Sequence, residues 1–186
     1  MPRIPLPSPM PAEVERLNES HRRNFGTTFL PVEILAHVPS YVRPYVGMWP
    51  LTGGAGHLPE QLRLLVLLLV ARRNDCAWCI DYVGAEAARD AAPARVAALL
   101  DYPSSPLFDA AERAALTFAD EATAGHGHVS DETFDELRRH YDSPAVVELA
   151  VSVAAENFHN VLNRSLGIEA QGFSHIRTGT DYAGAA

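Results

Sequence analysis

Apolar positions along this chain recur at spacings of three and four, and period-two alternation is nearly absent. That pattern predicts helices rather than strands. A weakly amphipathic helix is expected from Ala12 to Arg23, with Val14 and Leu17 on its apolar side. Ile34 to Tyr45 keeps helical spacing but is broken by Pro39 and Pro44, and Thr52 to Gly56 reads as a glycine loop. Pro59 then stands near the first turn of a helix from Glu60 to Arg73. From Leu62 to Val70 this helix is apolar on nearly every face, so it is expected to be buried.

Asn74-Asp75 breaks that helix, and Cys76-Ala77-Trp78-Cys79 opens another that runs to Asp90. A further helix is expected over roughly Pro93 to Leu100, followed by a loop at Pro103 to Pro106. Asp109 and Glu112 have the spacing of a capping box and start a helix to about Ala122. Ser130 caps Asp131 to His140, with Phe134 and Leu137 on one face. Ser143 is expected to cap the longest helix, Ala145 to about Leu166, with Pro144 in its first turn and Gly167 as its stop. The prediction is an all-α protein of about six to eight helices, in two halves joined near Pro103. Residues 1–172 form one domain with a proline-rich N-terminal arm, and residues 173–186 form a flexible tail.

Charge narrows the partners. Against 23 acidic residues stand 15 basic ones, all arginine, for a formal net charge of -8. No basic patch dominates, which argues against a nucleic-acid or anionic-membrane partner. The absence of lysine excludes Schiff-base chemistry and fits a GC-rich bacterial coding bias. The longest apolar run, Leu64 to Ala71, is far short of the ~20 residues of a membrane span. The Pro-rich start, Met1 to Pro9, lacks the apolar stretch of a signal peptide, so a cytoplasmic location is expected, with the arm packed on its own or a neighbouring subunit.

The only two cysteines, Cys76 and Cys79, stand three apart at a helix start. Backbone N–H groups and the helix dipole lower a thiol pKa there, and one thiol can resolve what the other forms. Two buried cysteines acting as small apolar residues are the equal alternative. A disulfide-stapled scaffold or a four-cysteine zinc site needs more cysteines than the chain has.

Around this motif the sequence resembles the carboxymuconolactone decarboxylase superfamily, which includes the alkylhydroperoxidase D-like proteins. The resemblance runs through Ala36-His37-Val38-Pro39, Leu58 to Ala71, Asn74 to Tyr82, Phe108 to Phe118, Val129 to Asp131 and Glu148 to Arg164. It implies an alkylhydroperoxidase D-like helical bundle that assembles as a homo-oligomer (a dimer, trimer or hexamer), a small-molecule substrate and a thiol reductant as partner, and no cofactor. In the peroxidase branch the second cysteine attacks, which implies Cys79 as the peroxidatic thiol and Cys76 as the resolving one. That branch relays protons through a glutamate and a histidine, but the matching positions here hold Leu64 and Val83, which cannot titrate. The decarboxylase branch does not depend on a cysteine pair.

Substitute groups are therefore sought. Tyr82 beside the motif is a candidate proton donor, against an ordinary packing role. Ser152, Glu156, His159 and Asn163 form a stripe on the last helix, with Asn157, Asn160 and Arg164 alongside. The stripe reads first as a solvated face or subunit interface, and second as an acid–base pair of Glu156 and His159. His126 and His128 lie in a glycine loop without carboxylate or cysteine at ligand spacing, so no metal site is expected. His37, His57 and His140 read as helix-end or packing residues. The candidate catalytic set is Cys76, Cys79, Tyr82, His159 and Glu156. Three functions compete: a thiol-dependent peroxidase-type oxidoreductase, a non-redox decarboxylase, isomerase or cyclase of a small metabolite, and a non-catalytic oligomeric binding protein.

Overall fold

The computed structural model describes residues 2–90 and 93–173. The helices are α1 (Ala12–Phe25), α2 (Leu30–Leu35), α3 (Pro39–Val46), α4 (Trp49–Gly53), α5 (Glu60–Arg73), α6 (Ala77–Asp90), α7 (Pro93–Ala97), α8 (Ala110–Ala124), α9 (Asp131–His140) and α10 (Ser143–Ser165). A single 3-10 turn, Leu99–Asp101, follows α7. Among the described residues there is no strand, as the helical spacing predicts.

Helix α5 is the axis. Every residue from Leu62 to Ala71 is buried, so the helix has no face to offer water. It is enclosed by α6, α8 and α10, while α9 closes over α8 and α4 lies on α10. A second apolar cluster forms where α1, α2 and α3 meet the start of α6, and it includes both cysteines. Among the described residues no helix is long and apolar enough to cross a membrane.

Local chemistry sets the helix ends. Asp109 accepts from Glu112 N while Glu112 accepts from Asp109 N, which is the expected capping box. Ser130 caps α9 as expected. For α10 the cap is Asp142, whose Oδ1 accepts from Ala145 N, rather than Ser143, which occupies the first turn. Gly167 adopts φ 66°, and Ile168 N returns to Asn163 O, so the glycine stops α10 as expected. On α9 Leu137 is fully buried, whereas Phe134, one turn before it, is exposed. Phe173 is buried and belongs to the body rather than to a tail, and the rest of the expected tail lies outside the described residues.

The N-terminal arm packs on its own chain. Arg3 N donates to Leu166 O at 2.8 Å, and His37 Nε2 donates to Pro5 O at 2.7 Å.

The α5 axis makes a direct stability prediction. Leu68 is fully buried against α6, near Gly84. Leu68→Ala is expected to cost about 2–5 kcal/mol, read as a lower urea midpoint at unchanged slope.

Candidate functional site

The site begins with the turn that joins α5 to α6. Asp75 takes φ 51°, a left-handed conformation that Asp tolerates better than most residues. The turn lets Cys76 N donate back to Ala71 O at 3.0 Å, which sets Cys76 immediately before α6 and against the end of α5. Ile80 N donates to Cys76 O, and Cys79 N lies 3.4 Å from Cys76 Sγ as its donor. Cys76 is thus the cap of α6, where backbone dipoles favour a thiolate. The two cysteines are bonded to each other, their Cα atoms 5.3 Å apart, and both are buried.

Helix α10 supplies the opposite wall. Ser152, Glu156, His159, Asn160 and Asn163 are all buried. The solvated-face expectation for this stripe is therefore wrong. The polar side points into the protein, on a helix that packs against α4, α5, α6 and α8. Asn163 Nδ2 donates to Cys79 Sγ at 3.4 Å, the direct link between stripe and motif. Asn160 Nδ2 donates to Glu156 Oε1 at 2.6 Å. Asn74 Nδ2 in turn donates to Asn160 Oδ1 at 3.0 Å and to Asn157 Oδ1 at 2.8 Å. The interhelical turn and the stripe are tied by three asparagines.

The stripe is electrically unusual. Burial pushes the Glu156 carboxyl up to about 7, only partly offset by the Asn160 hydrogen bond. Burial pushes His159 down to about 4, so its ring is neutral at pH 7. Neither ring nitrogen of His159 has a hydrogen-bond partner among the described residues. Glu156 and His159 therefore do not form the hydrogen-bonded pair that their spacing suggests. His159 instead meets the edge of Tyr45, with ring centroids 5.2 Å apart. Burial, then the nearby Glu156 charge, raise the Tyr45 phenol and keep it neutral.

Tyr82 sits elsewhere. Its ring stacks on Trp78 at 5.2 Å and meets Phe29 and Phe173 edge-on, inside the aromatic cluster beside the cysteines. Asp81 is an anchor: its Oδ2 accepts the backbone N–H groups of Gln171, Gly172 and Phe173. Gln171 Oε1 accepts from Trp78 Nε1 at 2.6 Å, so the segment after α10 is strapped onto the motif helix. Leu64 and Val83 are buried in the main core and bring no titratable group. Sequence reasoning passed over Asn74, Tyr45 and Gln171. Asn74 was legible only as a helix break, and the other two become relevant through contacts distant in the chain.

A cysteine pair at a helix start, enclosed by a helical bundle, defines the class of alkylhydroperoxidase D-like thiol-motif folds. The model of the carboxymuconolactone decarboxylase family matches residues 40–121, from α3 into α8. The uncharacterized protein YnjA of Escherichia coli (strain K12) is 30% identical over 160 residues, covering 84% of this chain and 87% of that protein. The chain belongs to the carboxymuconolactone decarboxylase family. Among solved structures, an uncharacterized peroxidase-related protein from Silicibacter sp. TM1040 superposes with a TM-score of 0.80 at 20% identity, over 93% of each chain. The debrominase Bmp8 in its apo form superposes with a TM-score of 0.78 at 23% identity, over 91% of this chain and 92% of that one. These likenesses establish the alkylhydroperoxidase D-like fold.

The two perturbed groups pull stability in opposite directions. Glu156 binds its proton more tightly folded than unfolded, so its contribution is full below pH 4.5 and lost as pH rises through about 7. His159 binds its proton less tightly when folded, so its contribution is lost as pH falls from 6.5 through about 4. Glu156→Gln is expected to gain stability over wild type between pH 4.5 and 7, by up to about 1.4 kcal/mol per pH unit, and to level off above. Paired urea titrations across that range check it, and a constant difference refutes the buried carboxyl.

Proposed function

We propose that this protein is a dithiol oxidoreductase that reduces a small, uncharged electrophile, an organic hydroperoxide above all. The observation that carries the proposal is the Asn163 amide set on Cys79 Sγ, with Cys76 capping the same helix start. The Cys79 thiolate attacks the outer peroxide oxygen, the O–O bond breaks, and Cys79 becomes a sulfenic acid. The departing alkoxide takes a proton and leaves as an alcohol. Cys76 thiolate then attacks the sulfenic sulfur, hydroxide leaves as water, and the disulfide forms. An external thiol reductant returns both cysteines to the reduced state, and the capped Cys76 is the natural leaving thiolate in that step.

Glu156 replaces the missing proton relay. With its carboxyl near 7 it exchanges protons at neutral pH, which suits a general acid. It stands seven residues before Asn163, about 10 Å along the helix, so a bound substrate or a water bridges it to Cys79. Neutral His159, one turn from Asn163, hydrogen-bonds the substrate oxygen. The cysteines belong to an apolar and aromatic cluster, which favours an uncharged substrate. Tyr82 packs within that cluster and shapes it.

In a stopped-flow experiment, reduced wild type is expected to lose two thiols on mixing with tert-butyl hydroperoxide. Cys79→Ser abolishes the reaction, and Cys76→Ser halts at a trappable sulfenic acid. Glu156→Gln slows it about 10²–10⁴-fold. Serine variants that react like wild type sink the proposal.

A second reading comes from the likeness to the debrominase Bmp8, which has also been solved as a cysteine-to-alanine variant in complex with 2,3,4-tribromopyrrole. The same thiol pair can reduce an aryl bromide. One thiolate takes the bromine, the ring carbon takes a proton, and the second thiolate displaces bromide to form the disulfide. Cysteine-dependent bromide release from a bromopyrrole, without hydroperoxide reduction, selects this reading.

A further inference from the structure

The cysteine pair is closed off from water. Cys76 and Cys79 are 0% and 2% exposed. A substrate or an external thiol must touch a sulfur to react with it, so the pair can react only through an opening. Three of the elements around the pair cannot move without breaking the main core. Cys76 is held against the end of α5, Cys79 lies on α6, and α10 brings Asn163 onto Cys79 Sγ. Buried residues of all three helices belong to the main apolar cluster.

The segment after α10 is built differently. Ile168 N donates to Asn163 O at 2.9 Å, so the segment starts at the residue that touches Cys79 Sγ. It ends on the residues either side of Cys79. Asp81 Oδ2 accepts from Gln171 N at 2.8 Å, Gly172 N at 2.6 Å and Phe173 N at 3.1 Å. Gly172 takes φ 81°, which turns successive N–H groups toward one anionic oxygen. Gln171 Oε1 accepts from Trp78 Nε1 at 2.6 Å and from Leu30 N at 3.0 Å, and Gln171 Nε2 donates to Thr28 O at 2.8 Å. One half-buried side chain thus fastens the segment, the motif helix and the start of α2 together.

Little apolar surface holds the segment otherwise. Ile168 and Phe173 are buried in the cluster that contains both cysteines, while Glu169 and Ala170 are exposed. A piece held by hydrogen bonds at one end and by two apolar side chains opens far more easily than a core helix. Its other end is fixed. Arg3 N donates to Leu166 O at 2.8 Å and Arg3 Nη1 to Ser165 O at 3.1 Å, just before Gly167 at φ 66°.

We propose that Ile168 to Phe173 form a gate over the cysteine pair, hinged at Gly167 and latched by Gln171 and Asp81, which opens to admit the substrate and the thiol reductant. Opening frees the Trp78 indole and Phe173 together, and both lie in the aromatic cluster beside the sulfurs. The gate rests on the cysteine pair being the reacting group. Its test reads access to that pair and uses neither hydroperoxide nor bromopyrrole, so failure of either reaction leaves it standing.

Reduction of the Cys76–Cys79 disulfide by dithiothreitol, followed in urea-free buffer, measures the opening. Gln171→Ala is expected to be reduced about 10–100-fold faster than wild type, as losing three ordinary hydrogen bonds from the closed state implies. Asp81→Ala is expected to act in the same direction, and Arg3→Ala, at the fixed end, to leave the rate within about twofold. In wild type, the amides of Gln171, Gly172 and Phe173 are expected to exchange with deuterium well before those of Leu64 to Val70. Latch variants reduced at the wild-type rate, an Arg3→Ala variant as fast as Gln171→Ala, or gate amides that exchange only together with those of α5 overturn the proposal. Should the latch variants unfold, the wild-type exchange pattern alone decides.

Discussion

A helix that is apolar on every face can exist in water only if other elements enclose it. From Leu62 to Ala71, α5 is apolar apart from Arg63, itself buried and donating to Thr52 O, and the arrangement of α6, α8 and α10 follows from the need to cover it. The same enclosure places the cysteine pair. Because Asn74 and Asp75 end α5 and reverse the chain at once, Cys76 is held against the last buried turn of the helix it follows. The motif is thereby carried inside by the core, and not displayed on a loop.

Enclosure also explains the chemistry of α10. A long helix packed on several neighbours cannot keep all its polar residues wet, and those that turn inward must find partners. Asn157 and Asn160 do so through Asn74, and Asn163 through Cys79. Asn160 donates to Glu156, but burial dominates, the Glu86 charge adds to it, and the carboxyl rises into the neutral range. His159 has no partner for either nitrogen, and burial keeps it uncharged. The perturbed titratable groups thus stand on α10, the helix that reaches Cys79 through Asn163, whereas Leu64 and Val83 bring none.

Much of the fold was legible from local pattern. The bounds of α5 and α6, the Asp109–Glu112 capping box and the Gly167 stop all rest on interactions within a few residues, which is why spacing alone revealed them. The cap of α10 was misplaced by one residue because Asp142 and Ser143 are both competent caps, and only the helix start distinguishes them. The polar stripe was placed on the wrong side of α10 for a deeper reason. Val147, Val151, Phe158 and Val161 are as apolar as Val146, Leu149 and Val153, so hydrophobicity could not say which side faces the core.

The sequence by itself determined that this protein is helical, that one helix must be buried, and that two cysteines share the first turn of another. Each follows from the chemistry of neighbouring residues. Only the tertiary structure decided which wall of α10 meets those cysteines. It also decided that Glu156 and His159 are dry yet unpaired with each other, and that Asp81 and Gln171 strap the chain's end onto the motif helix. Those outcomes depend on which elements come together across the fold, and burial, which sets the charge of a carboxyl or an imidazole, belongs to the packed whole.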